Sequence, residues 1–316
     1  MAETVVATFY RFTRLADPAA VRDRLQRVAT HAGTRGSLLV APEGINGTVS
    51  GLRTAVDAVM AAVRELPGCA GLQARESVAD SGPFLRMKVR LKREIVAMGA
   101  PFPDGPIRTG LPVDPGDWNA ILNDGSFAIL DTRNDYEVAI GSFPGAINPE
   151  IGSFRDFPAW WQVNRDRFRG RRVAMFCTGG IRCEKASRYL LQAGVTDVCQ
   201  LRGGILNYLA SVPATENAWT GECFVFDQRV AVGPYLAVGT HELCFSCRWP
   251  LSPKDRLDPR HETGVSCIHC HAGLDESRKN RLRERQRQVE LAQVRGVSHF
   301  GTESQSGRSG GGGRRM

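Results

Sequence analysis

The chain opens on a strand pattern. Thr4 to Phe12, "TVVATFYRF", is rich in β-branched and aromatic residues, the composition of a pleated, half-buried segment. "ADPAAVRDRLQRVATHAG" changes the period: Val21, Leu25, Val28 and Ala32 fall on one helical face, with Asp17 as N-cap, Pro18 at the first helical position and Gly33 past the end. "GSLLVAPEGINGTVSG" supplies two short strands around a Pro-Glu-Gly turn, Val56, Met60 and Val63 mark a second helix, and "PFLRMKVRLKREIV" reads as a further strand pair. A Pro- and Gly-rich connector, "GAPFPDGPIRTGLPVDPGDW", follows. From Trp118 on, "FAILDT", "RRVAMFC" and "DVCQL" are short apolar strands with helical segments between them, the pattern of a parallel, doubly covered sheet. Past Pro213, "ECFVFDQRVAV" reads as a strand pair. "ESRKNRLRERQRQVELAQVRG" is helical by propensity, with only Leu282, Val289 and Leu291 to bury, and the end from Thr302 reads as disordered.

These shifts organise 316 residues, more than one hydrophobic core usually serves, into an α/β protein of several parts. Residues 1–98 form an N-terminal α+β domain whose β-α-β-β-α-β order resembles a ferredoxin-like sandwich of two helices on an antiparallel sheet. Residues 99–117 are a linker, and residues 118–215 an α/β domain whose ligands belong at the carboxyl ends of its strands. Residues 216–274 are a small Cys-rich region, and residues 275–316 a basic helix and tail.

Charge sharpens this division. Of the formal net charge of +8, the stretch from Arg278 to Met316 holds ten Lys and Arg against three Glu, a net of +7, which leaves about +1 for the body. A basic appendage on a nearly neutral body points to a polyanion, nucleic acid first, with a solubilising tail as the alternative. No apolar stretch approaches the roughly 18 residues that cross a bilayer, and "MAETVVATFYRF" lacks the basic segment and cleavage site of a signal peptide. The expectation is a cytoplasmic chain that meets no membrane, and nothing in the sequence calls for an obligate protein partner.

Nine cysteines in such a chain favour metal binding or catalysis over disulfides. Cys177 ends the central strand, and Glu184 to Ala193 reads as the next helix, with Ala186, Leu190 and Ala193 inward and Gly194 as its stop. The loop between holds Thr178, Gly179, Gly180 and Ile181, whose amides can turn toward one centre and form an anion cradle at a helix N-terminus. There, with the Arg182 guanidinium nearby, Cys177 loses its proton readily and becomes nucleophilic. A Cys-His protease is excluded, because residues 115–215 contain no histidine. Cys183, six residues on, is either a resolving thiol or a packing residue.

"AILDTRNDYEVAIGSFPGAINPEI", "VAMFCTGGIRCEKAS" and "QLRGGILNY" together resemble a rhodanese homology domain. That resemblance implies that Cys177 can carry a persulfide. With "LLVAPEGINGTVSG", "LRMKVRLKREIV" and the downstream Cys pairs, the chain from about residue 3 to 272 resembles the tRNA uridine hydroxylase family. This implies oxygen-dependent conversion of the wobble uridine, position 34, to 5-hydroxyuridine, with molecular oxygen as co-substrate and the anticodon stem-loop of tRNA as partner. No 2-His-1-carboxylate arrangement and no flavin, haem or nicotinamide motif is found. Cys177 is then expected to attack C6 of uracil, or to cycle through an oxidised sulfur species, while Arg182 holds an anionic oxygen or phosphate near the thiolate. The alternative that the loop alone suggests is a sulfurtransferase moving sulfur from thiosulfate or a persulfide.

Cys244-x-x-Cys247 and Cys267-x-x-Cys270, 19 residues apart, have the spacing of a zinc ribbon and predict a structural zinc, with His269 and His271 as substitute ligands. Glu43 and Asn46, on the glycine-flanked turn of "APEGING", are candidate substrate contacts. Arg86, Lys88, Arg90 and Lys92 alternate on one strand face and suit phosphate contact, or a solvated sheet face.

Overall fold

The computed structural model describes residues 3–79, 82–99 and 108–295. Residues 100–107 of the connector and the end expected to be disordered from Thr302 lie outside them.

The N-terminal domain runs β1 (Thr4–Phe12), α1 (Pro18–His31), β2 (Arg35–Ala41), β3 (Gly44–Gly51), α2 (Arg53–Arg64), β4 (Arg75–Ala79) and β5 (Met87–Leu91), in sheet order β4-β1-β3-β2-β5. All pairings are antiparallel except β2 with β5. Asp17 caps α1, accepting from the Ala20 N–H at 2.9 Å. Leu25, Ala29, Val56, Val59, Met60 and Val63 close over Val5, Ala7, Phe9, Leu38, Val40 and Val49 on one sheet face, while Tyr10 and Phe12 of the other face pack with Ile95 and Ile181. This is the expected sandwich with one strand added at the edge. "PFLRMKVRLKREIV" supplies one strand, β5, rather than two, and β4 comes from the unremarked "RESVA". The reason is tertiary: beyond Leu91 the chain leaves the sheet so that Ile95 can pack, fully buried, against Phe12 and Ala41.

The second domain comprises β6 (Leu111–Val113), α3 (Pro115–Asn123), β7 (Phe127–Asp131), α4 (Asp135–Val138), β8 (Gly141–Ser142), α5 (Phe157–Asn164), β9 (Arg172–Phe176), α6 (Ile181–Gln192), β10 (Val198–Leu201) and α7 (Gly204–Ser211). Its sheet, β6-β10-β9-β7, is parallel throughout. β6 lies in the stretch read as linker, and its Pro112 is tolerable because β6 is an edge strand with one neighbour. Trp118, Phe143, Phe176, Tyr208 and Trp219 pack on one face of the sheet; Phe157, Trp161, Phe168, Met175 and Leu190 pack on the other. The helix expected from Glu184 to Ala193 begins three residues earlier, because Gly180 takes a left-handed conformation (φ 99°) as its N-cap. Ala193, expected inward, is its exposed C-cap; Ala186 and Leu190 face the core as expected, together with Cys183.

Beyond it β11 (Thr220–Gly221) pairs with β8, β12 (Cys223–Phe224) with β13 (Ala231–Val232), and β14 (Glu242–Leu243) with β15 (Pro250–Leu251). The last helix, α8 (Glu276–Val294), buries Leu282 and Ala292, while Leu291 is 37% exposed. It docks by polar contacts instead of an apolar stripe: Arg283 meets both carboxylate oxygens of Glu262, and Arg285 donates to the carbonyls of Phe245 and Gly264.

Candidate active site

Cys177 follows β9 at the carboxyl edge of the parallel sheet and is fully buried. The Gly180 N–H donates to its sulfur at 3.1 Å, and Cys183 is buried beside it in the same cluster. Burial opposes ionisation, but the Cys183 thiol, the Arg182 guanidinium and the two amides outweigh it and hold the Cys177 thiol well below the usual range. Cys199 and Cys223, buried without such donors, are pushed the other way, to about 12. Cys183 shares its burial with a neighbouring thiolate, which drives its own acidity well down; the Thr132 hydroxyl lies 3.4 Å from its sulfur.

The other loop residues take separate tasks. Thr178 donates its hydroxyl to Glu137 at 3.2 Å, and Gly179 offers its carbonyl to Arg75 at 3.1 Å. Ile181 packs beside Tyr10 and Val96. The carbonyls of Cys177 and Thr178 accept from the Ile205 and Leu206 amides at the start of α7. Gly204 must lack a side chain for this, since a Cβ there would stand 2.3 Å from the Cys177 carbonyl oxygen.

Arg182 is not free to grasp a ligand. Its two terminal nitrogens lie 2.6 and 2.7 Å from the carboxylate of Glu137, which is fully buried and also accepts from the Asn134 N–H at 3.2 Å. Burial works against the Glu137 charge, yet the Arg182 pairing holds its carboxyl below the usual range. Arg182 therefore acts on the thiolate through its charge. Behind it Asp131 and Arg133, both fully buried, form a bidentate pair, and Arg133 also donates to the carbonyls of Glu137 and Gly141.

The N-terminal domain closes the site, which local sequence reading missed. Tyr10 of β1 packs beside Ile181, and a Cβ on Gly180 would lie 3.0 Å from its hydroxyl. Burial, then the Glu184 and Cys177 charges, raise the Tyr10 phenol. Arg75 of β4 reaches over Gly203 to the loop; burial lowers its guanidinium, against the pull of Tyr10 and Cys177. The available signal was the Glu184-Lys185 dipeptide in an otherwise buried helical turn, which demands partners.

Glu43 and Asn46 sit at this same junction and not on an open surface. Glu43 accepts from Lys185 at 2.9 and 3.0 Å and from the Ile95 N–H at 2.8 Å, and Asn46 donates to the Ile95 carbonyl at 3.0 Å. Lys185 also meets Glu94 at 2.5 Å and the Val96 carbonyl at 3.1 Å. Arg86, exposed, immediately precedes β5, and Lys88, half-buried, lies on it. Burial, then the neighbouring Arg86 and Arg90 charges, lower the Lys88 ammonium, as expected of a crowded cationic face.

The sulfurs of Cys244, Cys247, Cys267 and Cys270 all lie within 4.8 Å of one another, with separations of 3.9, 3.7 and 3.8 Å for 244–270, 247–267 and 267–270. A tetrahedral ion with metal–sulfur bonds of about 2.3 Å needs edges of about 3.8 Å, so this donor set can hold a metal such as zinc. His269 instead stacks on Trp249, ring centroids 4.3 Å apart, and His271 lies 3.5 Å from the Lys279 ammonium. Neither histidine joins the four sulfurs. No helix among the described residues is long and apolar enough to cross a membrane.

Residues 4–95 match a domain described as UPF0176 acylphosphatase like, and residues 114–211 a rhodanese-like domain. The chain is 53% identical over 297 residues to a protein of Jannaschia sp. (strain CCS1), covering 94% of this chain and 98% of that one. It is 54% identical over 297 residues to one of Ruegeria pomeroyi, covering 94% and 99%, and 49% identical over 308 residues to one of Caulobacter vibrioides (strain NA1000 / CB15N), covering 95% and 98%. All three are named tRNA uridine(34) hydroxylase.

Proposed function

The chain belongs to the tRNA uridine(34) hydroxylase family, and on that premise we propose how Cys177 serves the reaction. The protein is an enzyme that hydroxylates the wobble uridine of tRNA. The observation that carries the mechanism is a buried thiolate held by two amides, a second thiol and the Arg182 charge, with Glu137 fixing Arg182. The thiolate adds to C6 of uracil: an S–C6 bond forms, and the C5=C6 electron pair moves onto C5 and the O4 carbonyl. C5 becomes electron-rich, the state in which it takes up one atom of molecular oxygen, the other leaving as water with two protons and two electrons from a thiol reductant. Departure of the thiolate and loss of the C5 proton restore the ring.

Because Cys177 is wholly buried, a nucleotide reaches it only as an unstacked base and with Tyr10 and Arg75 withdrawn from the loop. The anticodon stem-loop presents such a base. The cationic β5 face, with Arg86, Lys88 and Arg90, and the basic α8 offer charge for the phosphate backbone. A zinc ion held by Cys244, Cys247, Cys267 and Cys270 would serve structure: it would join the β14–β15 hairpin to the turn that precedes α8.

Nucleoside mass spectrometry of unmodified tRNA, incubated with the protein in air and without oxygen, tests this reading. A gain of one oxygen on the wobble uridine is expected only in air and is abolished by Cys177→Ala. Sulfur incorporation, or unchanged tRNA beside rapid thiosulfate turnover, would establish the sulfurtransferase instead.

A further inference from the structure

We propose that Cys177 and Cys183 form a dithiol that supplies two electrons to each hydroxylation, closing to a disulfide once per product formed. The inference rests on the reading that dioxygen provides the oxygen atom at C5 of uridine, and adds to it the source of the remaining electrons.

The electron count sets the need. Dioxygen accepts four electrons in becoming one hydroxyl oxygen and one water oxygen. The uracil C5–H position supplies two, so a monooxygenation must draw two more from elsewhere. Two thiols match this: uridine, dioxygen and two thiols give 5-hydroxyuridine, one water and one disulfide. The O–O bond, the C5–H bond and two S–H bonds break; the C5–O bond, its hydroxyl O–H, the S–S bond and the two O–H bonds of water form, so both thiol protons leave in the water.

The geometry places such a pair at the reacting carbon's partner. Cys177 at the end of β9 and Cys183 in the first turn of α6 are both fully buried in the same cluster, and each thiol shifts the other's acidity. Cys183 is fixed on its far side by the Thr132 hydroxyl, itself bonded to the Phe176 carbonyl at 3.1 Å. The pair is also chemically unequal: Cys177 is held as thiolate and Cys183 as thiol, the division needed for one sulfur to attack and the other to deliver a proton. Burial of both keeps outside thiols away while Tyr10 and Arg75 cover the loop, so electrons are stored at the site and replenished by an external dithiol after it opens.

The test is a single turnover. Fully reduced, full-length protein, stripped of reductant, is mixed without oxygen with an unmodified tRNA transcript and then exposed to air. 5-Hydroxyuridine is counted by nucleoside mass spectrometry, and the Cys177–Cys183 disulfide by alkylation and peptide mapping. One product and one disulfide per chain are expected, with turnover resuming on addition of dithiothreitol. Product that accumulates beyond one per chain without reductant overturns the proposal, as does product formed while both thiols stay alkylatable. Cys183→Ala is expected to lower the reductant-free yield by about tenfold or more; a full yield overturns the proposal. Because the wild-type stoichiometry decides alone, a poorly folding variant does not blunt the test. Absence of 5-hydroxyuridine under every condition defeats the hydroxylase reading and the dithiol with it, whereas product without disulfide defeats only the dithiol.

Discussion

At Cys177 burial and hydrogen bonding compete over one proton, and the donors win. Cys199 and Cys223 provide the internal comparison, since burial without those donors, aided at Cys199 by the Asp197 charge, raises them to about 12. The sign of the consequence follows. An ordinary unfolded thiol titrates near 8.5, and the folded value of Cys177 lies below it. Its thiolate therefore contributes stability that is fully present above the unfolded value and lost as pH falls through the folded one. We expect the ultraviolet thiolate absorbance of wild type, less that of Cys177→Ser, to persist on acidification well below pH 8.5. A midpoint at or above that value would contradict the account of the loop.

The loop holds its shape because two elements meet it. Gly180 opens α6 with a left-handed residue, and the α7 amides of Ile205 and Leu206 take the Cys177 and Thr178 carbonyls. Gly204 makes the second contact possible, with φ 68° and no space for a Cβ between two backbone carbonyls. Gly204→Ala must push the loop and α7 apart, at a cost in the upper range for single substitutions, about 3 kcal/mol or more. The expected result is a lower melting temperature together with loss of the low-pH thiolate signal. A protein that melts as wild type and keeps the signal would show that α7 does not support the cradle.

Across the whole molecule the site is a junction of two domains. Lys185 of α6 is the central tie, fully enclosed between Glu43 of the β2–β3 turn and Glu94 beyond β5, with side-chain exposures of 1, 9 and 19%. Burial opposes the Glu94 charge, and the Lys185 hydrogen bond leads the contributions that hold its carboxyl below the usual range. Removing the cation leaves these carboxylates charged with only backbone N–H donors to hold them, a loss of up to about 3–5 kcal/mol. Lys185→Met is thus expected to uncouple the domains and split the calorimetric melt into two transitions. A single transition at the wild-type temperature would mean that the tie contributes little.

The two domain types, the cysteine loop after β9 and the pairing of the Cys-x-x-Cys knuckles were legible in the sequence. Each depends on spacing over a few residues: period two or 3.6, a cap, a glycine at a stop. The same locality explains the errors. Nothing within "PFLRMKVRLKREIV" says that the chain must leave the sheet to bury Ile95 against Phe12, or that Pro112 will find an edge position beside β10. Side-chain partnerships were less legible still, because a charged or polar group is recognised by what lies across the fold. Only the tertiary structure assigned Arg182 to Glu137, 45 residues away, turned Glu43 from a substrate contact into the partner of Lys185, 142 residues away, and brought Tyr10 and Arg75 over Cys177. The sequence determined which loop presents the cysteine after the central strand. Burial and long-range pairing decided its charge, its second thiol and its cover, because desolvation and Coulomb energy depend on distance in space and not on distance along the chain.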